Sequence, residues 1–276
     1  MLKKRVLTTL ISLPVFIAAN WFGGQWFTAL IAVCGLMAAW EYCRLVEKAK
    51  APVMTSFVLI FVLLFLAGSN LIANDFTANQ SYLLITGVML SLVWLLFRRD
   101  KETAFASWVW SLGGVIYLGL LFSHAIALRG LPNGLNWVFF AVIANAFSDS
   151  AAYFTGRRWG RHKLAPNISP KKTREGAAGG IAGAVIGGAG IFYLLQAVTP
   201  GEFPAGFGLA QALVLSVLIS LTGQLGDLVE SLFKRNMGAK ESGNLLPGHG
   251  GFLDRLDSVV FVSVLVYYYV ILFHPA

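Results

Sequence analysis

The chain has 276 residues, 57% of them hydrophobic and 12% charged, with a mean hydropathy of +0.71 and a net charge of +8. Soluble domains carry about 25% charged residues, so polar surface is too scarce here for a soluble globular enzyme or a disordered chain, and two cysteines do not make a disulfide scaffold. In a membrane protein an excess of Lys and Arg sets orientation in the bilayer, so +8 does not by itself indicate nucleic-acid binding.

Nine apolar stretches follow along the chain, with cores at 6–22, 25–40, 54–73, 82–97, 105–127, 136–155, 177–198, 207–226 and 258–273. At about 20 residues per span they use roughly 180 residues and leave loops, not a second soluble domain. The first stretch follows Lys3, Lys4 and Arg5 and has the flank of a signal peptide, but no small-x-small cleavage site precedes Trp21. It reads as a retained span. Cys34 and Cys43 have neither metal-ligand nor redox spacing and read as packing residues.

Span six carries Asp149 in N-A-F-S-D-S. An aspartate at membrane depth costs roughly 2.5–3.5 kcal/mol on insertion scales. It either faces a cavity or partner or reaches the interface from the span end. Next comes S-P-K-K-T-R-E-G, residues 169–176. Pro170 is expected to fix a turn. Lys171 and Lys172 put two compact charges at the membrane surface, with Ser169 and Thr173 as hydroxyl donors and Glu175 beside them. The cluster suits a polyphosphate or a phospholipid headgroup, or is a basic anchor without a ligand. Glycines 176, 179, 180, 183, 187, 188 and 190 then enter an apolar span. No strand precedes them, so they read as close helix packing rather than a dinucleotide loop.

At the end of span eight, Asp227, Glu230, Ser231 and Lys234 are spaced to share one helix face. Carboxylates there are candidate ligands for a hard cation such as Mg²⁺, or the helix simply turns polar as it leaves the membrane. In K-E-S-G-N-L-L-P-G-H-G-G-F-L-D-R-L-D, residues 240–257, glycines 248, 250 and 251 let backbone approach a phosphate. Asp254 and Asp257 flank Arg255 at the start of span nine, and Asp257 also reads as an N-cap of that span. Tyr267, Tyr268 and Tyr269 read as an interfacial aromatic belt.

If the N-terminus is inside and the spans alternate, 20 of the 21 basic residues fall inside and only Arg129 falls outside. Of 13 acidic residues only Asp75 and Glu202 fall outside. The expected fold is therefore an all-α polytopic membrane protein of about nine transmembrane helices, N-terminus cytoplasmic and C-terminus outside. Residues 1–135 form an N-terminal group of about five spans. Residues 136–276 form a region of about four spans with two long cytoplasmic loops, near 156–176 and 232–257, and any polar site belongs to that face.

The stretch from Ser231 to Asp257 resembles the motif of the phosphatidate cytidylyltransferases, or CDP-diacylglycerol synthases, of bacterial type. That motif is a Ser, a Lys-Arg pair, Lys-Asp, P-x-H-G-G and D-R-x-D. Ser231, Lys234, Arg235, Lys240, Pro247, His249, Gly250, Gly251, Asp254, Arg255 and Asp257 match in register, and Glu241 stands where the family usually has Asp. The upstream S-P-K-K-T-x-E-G and G-D-x-x-E-S-x-x-K-R pieces are similar to the same family. The resemblance implies a nucleotidyltransferase of phospholipid biosynthesis, in which CTP and phosphatidate give CDP-diacylglycerol and pyrophosphate. It implies Mg²⁺ on Asp227 and Asp254, with or without a second cation, and Asp257 as a further ligand or orienter. Lys234 and Arg235 join these as catalytic candidates. Asp149, Ser169, Lys171, Lys172, Thr173, Glu175, Ser231, Lys240, Gly248, His249, Gly250, Gly251 and Arg255 are the substrate-binding candidates. The partners implied are CTP, phosphatidate and membrane lipid, with a homodimer in the inner membrane and no nucleic acid. A nucleotidyltransferase for another lipid phosphate and an ion-coupled transporter are the alternatives. The transporter predicts midplane charge and repeated halves, which this sequence does not display.

Overall fold

The computed structural model describes residues 2–71, 76–98, 100–199, 203–204, 206–243, 245 and 250–274. Ten α-helices account for most of them: α1 Leu2–Phe22, α2 Gly24–Lys48, α3 Thr55–Leu71, α4 Phe76–Phe97, α5 Ala104–Gly114, α6 Phe122–Gly130, α7 Gly134–Trp159, α8 Arg174–Val198, α9 Leu209–Asn236 and α10 Leu253–Phe273. A π-helical segment, Val115–Leu121, joins α5 to α6 in one continuous rod. Seven helical segments among the described residues are long and apolar enough to cross a membrane, and 10–22 and 55–69 are shorter apolar helices. The protein is thus a polytopic helical membrane protein. Among the described residues each apolar stretch falls mainly on helix. In lipid a helix satisfies its backbone N–H and C=O groups within one segment, which is why apolar composition translates so directly into helix.

One element departs from the all-α expectation and from the expectation that no strand precedes the glycines of 176–190, although a two-stranded hairpin is no βαβ unit. Strands β1, Lys163–Ala165, and β2, Ser169–Thr173, form an antiparallel hairpin with Lys163 opposite Thr173 and Ala165 opposite Ser169. Pro170 therefore lies within β2, and the chain turns at 166–168 instead. A two-stranded hairpin tolerates this proline because both strands are edges, where an N–H can be dispensed with.

Three helices run beyond the apolar cores seen in the sequence. α7 continues to Trp159, α9 to Asn236, and α10 begins at Leu253. Hydropathy marks only the apolar length, whereas the backbone hydrogen-bond ladder continues for as long as nothing breaks it. The two long loops shrink accordingly. Asp257 consequently lies one turn inside α10 and is not its N-cap, and Asp254 is the acid in the first turn.

The chain divides into two compact units, 1–130 with 234–256, and 131–233 with 257–276, so that α9 and α10 each belong partly to both. In the first unit Val58, Val62, Phe65 and Leu66 of α3 are fully buried. Tyr42 of α2 donates its hydroxyl to the Trp110 carbonyl at 2.8 Å, and Met54 N–H donates to Ser111 Oγ at 2.7 Å. Gly23, with φ 63°, lets the chain break between α1 and α2. There Arg129 Nε donates to the Asn20 carbonyl at 2.8 Å, satisfying an acceptor that α1 leaves open at its C-terminus.

The second unit is organised by the glycine stripe of α8 packed on α7. A Cβ on Gly176 would come 2.9 Å from the Ala152 carbonyl oxygen. One on Gly183 would lie 2.7 Å from the Phe147 carbonyl oxygen and run into Ala151. The stripe is a close-packing surface, as its small-xxx-small spacing predicts. Polar pairs tie α9 to both helices: Ser148 of α7 and Ser220 of α9 meet through their hydroxyls at 2.7 Å, and Gln224 Nε2 of α9 donates to the Ala177 carbonyl of α8 at 3.2 Å. At the other end Trp137 is fully buried and meets Phe203, Phe207 and His274.

Candidate active site

The candidate residues fall into two groups, one in each unit. In the second unit the group is built on β2, α8 and α9. Thr173 has extended backbone (φ −127°, ψ 155°), and its Oγ1 accepts the Gly176 N–H at 3.1 Å, so it is the N-cap of α8. Glu175 accepts the N–H groups of Arg161 and His162 at 3.1 and 3.2 Å and pairs with His162 Nδ1 at 2.5 Å. Both side chains therefore hold the hairpin onto the start of α8. That places Lys172 to reach α9, where its Nζ lies 2.7 Å from Asp227 Oδ2. Ser231, one turn further on α9 and buried, donates to Asp227 Oδ1 at 3.4 Å. The side chains of Lys172 and Asp227 keep 23% and 38% of their exposure, so this pair is open to solvent on one side. Lys171 is exposed and Ser169 half-buried. Glu230, on the same face of α9 as Asp227, is fully buried.

Asp149 on α7 is exposed and accepts from Asn145 Nδ2 at 3.4 Å, while the same amide donates to Ser258 Oγ at 2.9 Å. Asp257 on α10 accepts the Ser258 N–H on Oδ1 at 2.6 Å. A Cβ on Gly226 would lie 2.5 Å from the Asp257 carbonyl oxygen, so α9 and α10 touch backbone to backbone at that level.

In the first unit the group is centred on Asp254. Lys234 Nζ donates to Asp254 Oδ1 at 2.6 Å, and the two side chains are only 12% and 13% exposed. Asp254 Oδ2 accepts the N–H groups of Ser242 and Gly251, both at 3.1 Å. Three donors thus fix this carboxylate in place. Lys234 is presented by the end of α9, which closes as a Schellman motif: Gly238 (φ 65°) N–H bonds the Arg235 carbonyl at 3.0 Å and Ala239 N–H the Lys234 carbonyl at 2.8 Å. Arg235 donates to the Ala239 carbonyl at 3.0 Å, adding to the same cap. Gly250 takes φ 86°, a backbone state that a side chain would strain, next to the buried Gly251. Lys240, Glu241 and Arg255 are exposed. Gly248 and His249 lie outside the described residues.

Sequence reasoning missed one carboxylate that this geometry brings in. Glu41 of α2 is 3% exposed, and its Oε2 accepts Ser242 Oγ–H and Leu253 N–H, both at 3.0 Å. No sequence signal singled it out: Glu41 lies one residue beyond the apolar core 25–40, on a helix end that also carries Arg44, Glu47 and Lys48.

Among the described residues no group of three His, Cys, Asp or Glu side chains gathers as a metal cage. Mg²⁺ does not need one: it is commonly held by one or two carboxylates, with substrate phosphates and water filling the other positions. Asp227 and Asp254 are hard-oxygen donors of that kind. Each, taken by itself in its own unit, is a donor type compatible with a cation that brings most of its ligands on a triphosphate. The lysine paired to each carboxylate adds a positive charge suited to phosphate.

A sequence model described as the Cytidylyltransferase family matches residues 3–273. The phosphatidate cytidylyltransferase of Bacillus subtilis (strain 168) is 35% identical, over 99% of this chain and 98% of that protein. The phosphatidate cytidylyltransferase of Brucella suis biovar 1 is 36% identical over 96% and 92%. That of Synechocystis is 31% identical over 99% and 97%. The chain belongs to the cytidylyltransferase family.

Proposed function

We propose that this member of the family transfers the cytidylyl group of CTP to phosphatidate, forming CDP-diacylglycerol and pyrophosphate at the cytoplasmic face of the membrane. The observation that carries the proposal is the near full-length match to proteins named phosphatidate cytidylyltransferase. The two lysine–carboxylate pairs supply chemistry suited to it.

An oxygen of the lipid phosphate attacks the α-phosphorus of CTP, the bond from that phosphorus to the bridging oxygen breaks, and pyrophosphate leaves. The lipid phosphate is already an anionic nucleophile, so no general base is required. Both reactants are anions, and the protein's task is to neutralise and align them. Lys172 and Lys171 on β2, and Lys234 and Arg235 at the end of α9, are the cations assigned to the phosphates. The glycine turn ending at Gly251 is assigned to phosphate contact through its backbone, apart from the Gly251 N–H, which Asp254 Oδ2 holds. Asp227 and Asp254 would hold Mg²⁺, which when bound offsets negative charge on phosphate oxygens. Asp257 serves as a further ligand or orienter.

In this reading the seven long apolar helices and the two shorter ones give nine spans with the N-terminus in the cytoplasm, supported by 20 of 21 basic residues falling on one side. The lipid phosphate lies at the bilayer surface and CTP in the cytosol, so a site at the inner helix ends meets both. Purified full-length protein with CTP, Mg²⁺ and phosphatidate is expected to release pyrophosphate, and Asp254→Asn to abolish the release. No pyrophosphate from the intact protein, or full turnover by the variant, would overturn the proposal.

A further inference from the structure

We infer that Glu41, in the second apolar helix, is a positioning residue that sets the geometry of Asp254 through Ser242 and the start of α10. The inference rests on the reading of Asp254 as part of the active site. Glu41 is 201 and 212 residues away in sequence from its two partners, and it is buried in an apolar helix where an unpaired carboxylate is costly. Its Oε2 receives two donors at 3.0 Å. One is the Ser242 hydroxyl and the other is the Leu253 N–H, in the first turn of α10, whose leading N–H groups have no partner within the helix.

The same two partners lead directly to Asp254. Ser242 N–H donates to Asp254 Oδ2 at 3.1 Å, Ser242 Oγ lies 3.4 Å from Asp254 N, and Leu253 is the residue before Asp254. The glycines on either side are fitted to Glu41 as well. A Cβ on Gly243 would come 2.8 Å from the Glu41 carboxyl carbon, and one on Gly251 would come 2.9 Å from it. Gly251 is also the second backbone donor to Asp254 Oδ2, at 3.1 Å. Glu41 thus pins both backbone segments that donate to Asp254, and a side chain at either glycine would run into its carboxylate, at Gly251 into Ser242 Oγ as well. What Glu41 supplies is an acceptor at one point, not a charge for substrate. Partners of this kind cost roughly 10–100-fold in activity or metal affinity when removed.

The test compares Glu41→Gln with Glu41→Leu. Gln keeps an oxygen acceptor and the volume, whereas Leu keeps the volume and leaves Ser242 Oγ–H and Leu253 N–H without their acceptor. Two readouts are taken on the purified full chain. In pyrophosphate release, Glu41→Leu is expected to lower kcat about 100-fold, with KM for CTP within about 3-fold, and Glu41→Gln to stay within about 5-fold of the parent. In hydrogen–deuterium exchange, Glu41→Leu is expected to speed exchange of amides in 240–243 and 250–256 and to leave α7 and α8 unchanged, while Glu41→Gln exchanges like the parent. Unchanged kcat and exchange in Glu41→Leu would overturn the inference. So would Glu41→Gln falling as far as Glu41→Leu, or exchange rising throughout the protein. The exchange readout stands without activity, so a parent protein that releases no pyrophosphate overturns the proposed function while the positioning role is still decided.

Discussion

The Lys234–Asp254 pair can be examined by removing the lysine. Lys234→Met keeps most of the side-chain length and deletes the charge. It leaves Asp254 ionised, only 13% exposed, and holding two backbone N–H donors in place of three partners. Breaking a buried pair by removing one member costs about 3–5 kcal/mol, because the remaining charge is stranded. The two surviving N–H donors to Asp254 Oδ2 keep part of its solvation, which places the loss at the lower end, about 3 kcal/mol. At roughly 2–4 °C per kcal/mol for a chain of this class, that is a fall of about 6–12 °C in Tm. The assay is thermal unfolding of purified protein in detergent, run as a double-mutant cycle with Asp254→Leu. The double variant removes both charges and is expected to be more stable than Lys234→Met alone, with a coupling energy of at least about 1.5 kcal/mol. The pair is largely out of solvent, so the shift should change little between low and moderate salt. A Tm for Lys234→Met within 1–2 °C of the parent, or strictly additive effects, would refute the reasoning.

Three further substitutions check how the second unit presents its residues. Gly183→Leu puts a side chain where Ala151 and the Phe147 carbonyl already sit, and a backbone oxygen has no room to yield. It is expected to cost about 3 kcal/mol or to prevent recovery of folded protein, read by thermal unfolding and size-exclusion profile, whereas Gly190→Ala, with open space around it, should be silent. Thr173→Val removes the oxygen that caps α8 and should lower stability by about 1 kcal/mol while kcat for pyrophosphate release stays within about 3-fold. A large loss of kcat with unchanged Tm would make Thr173 a substrate ligand instead of a cap.

Fold class, the positions of the apolar helices and the family resemblance were legible from one dimension. Hydropathy along the chain is enough to place helices in lipid, because a helix closes its own hydrogen bonds and needs no partner segment to be specified. The spacing of Asp227, Ser231 and Lys234 placed them on one face because they are carried by one uninterrupted helix. The glycine stripe was legible for the same reason: regular spacing on one helix becomes a smooth surface, and α7 packs on it.

Other features needed the tertiary structure because they depend on what lies far off in sequence. Pro170 could be placed in a strand only once β1 was seen pairing with β2. Thr173 and Glu175 have the composition of a phosphate cluster, yet their oxygens are taken by Gly176, Arg161 and His162. The polar ends of α9 and α10 were read partly as loop, since composition turns polar before the backbone ladder ends. The choice of lysine for each carboxylate, Lys172 for Asp227 and Lys234 for Asp254, is a matter of reach in space.

The sequence by itself determined that this is a helical membrane protein whose charges gather into motifs suited to nucleotide and lipid phosphate. Those properties are sums over local composition and periodicity. Only the tertiary structure decided which of the charged and hydroxyl groups are committed to holding the scaffold, and that Glu41, at the polar end of an early helix, reaches the residues flanking Asp254. A hydrogen bond acts over about 3 Å, and no local pattern records which two points of a chain, more than 200 residues apart, folding brings within that distance.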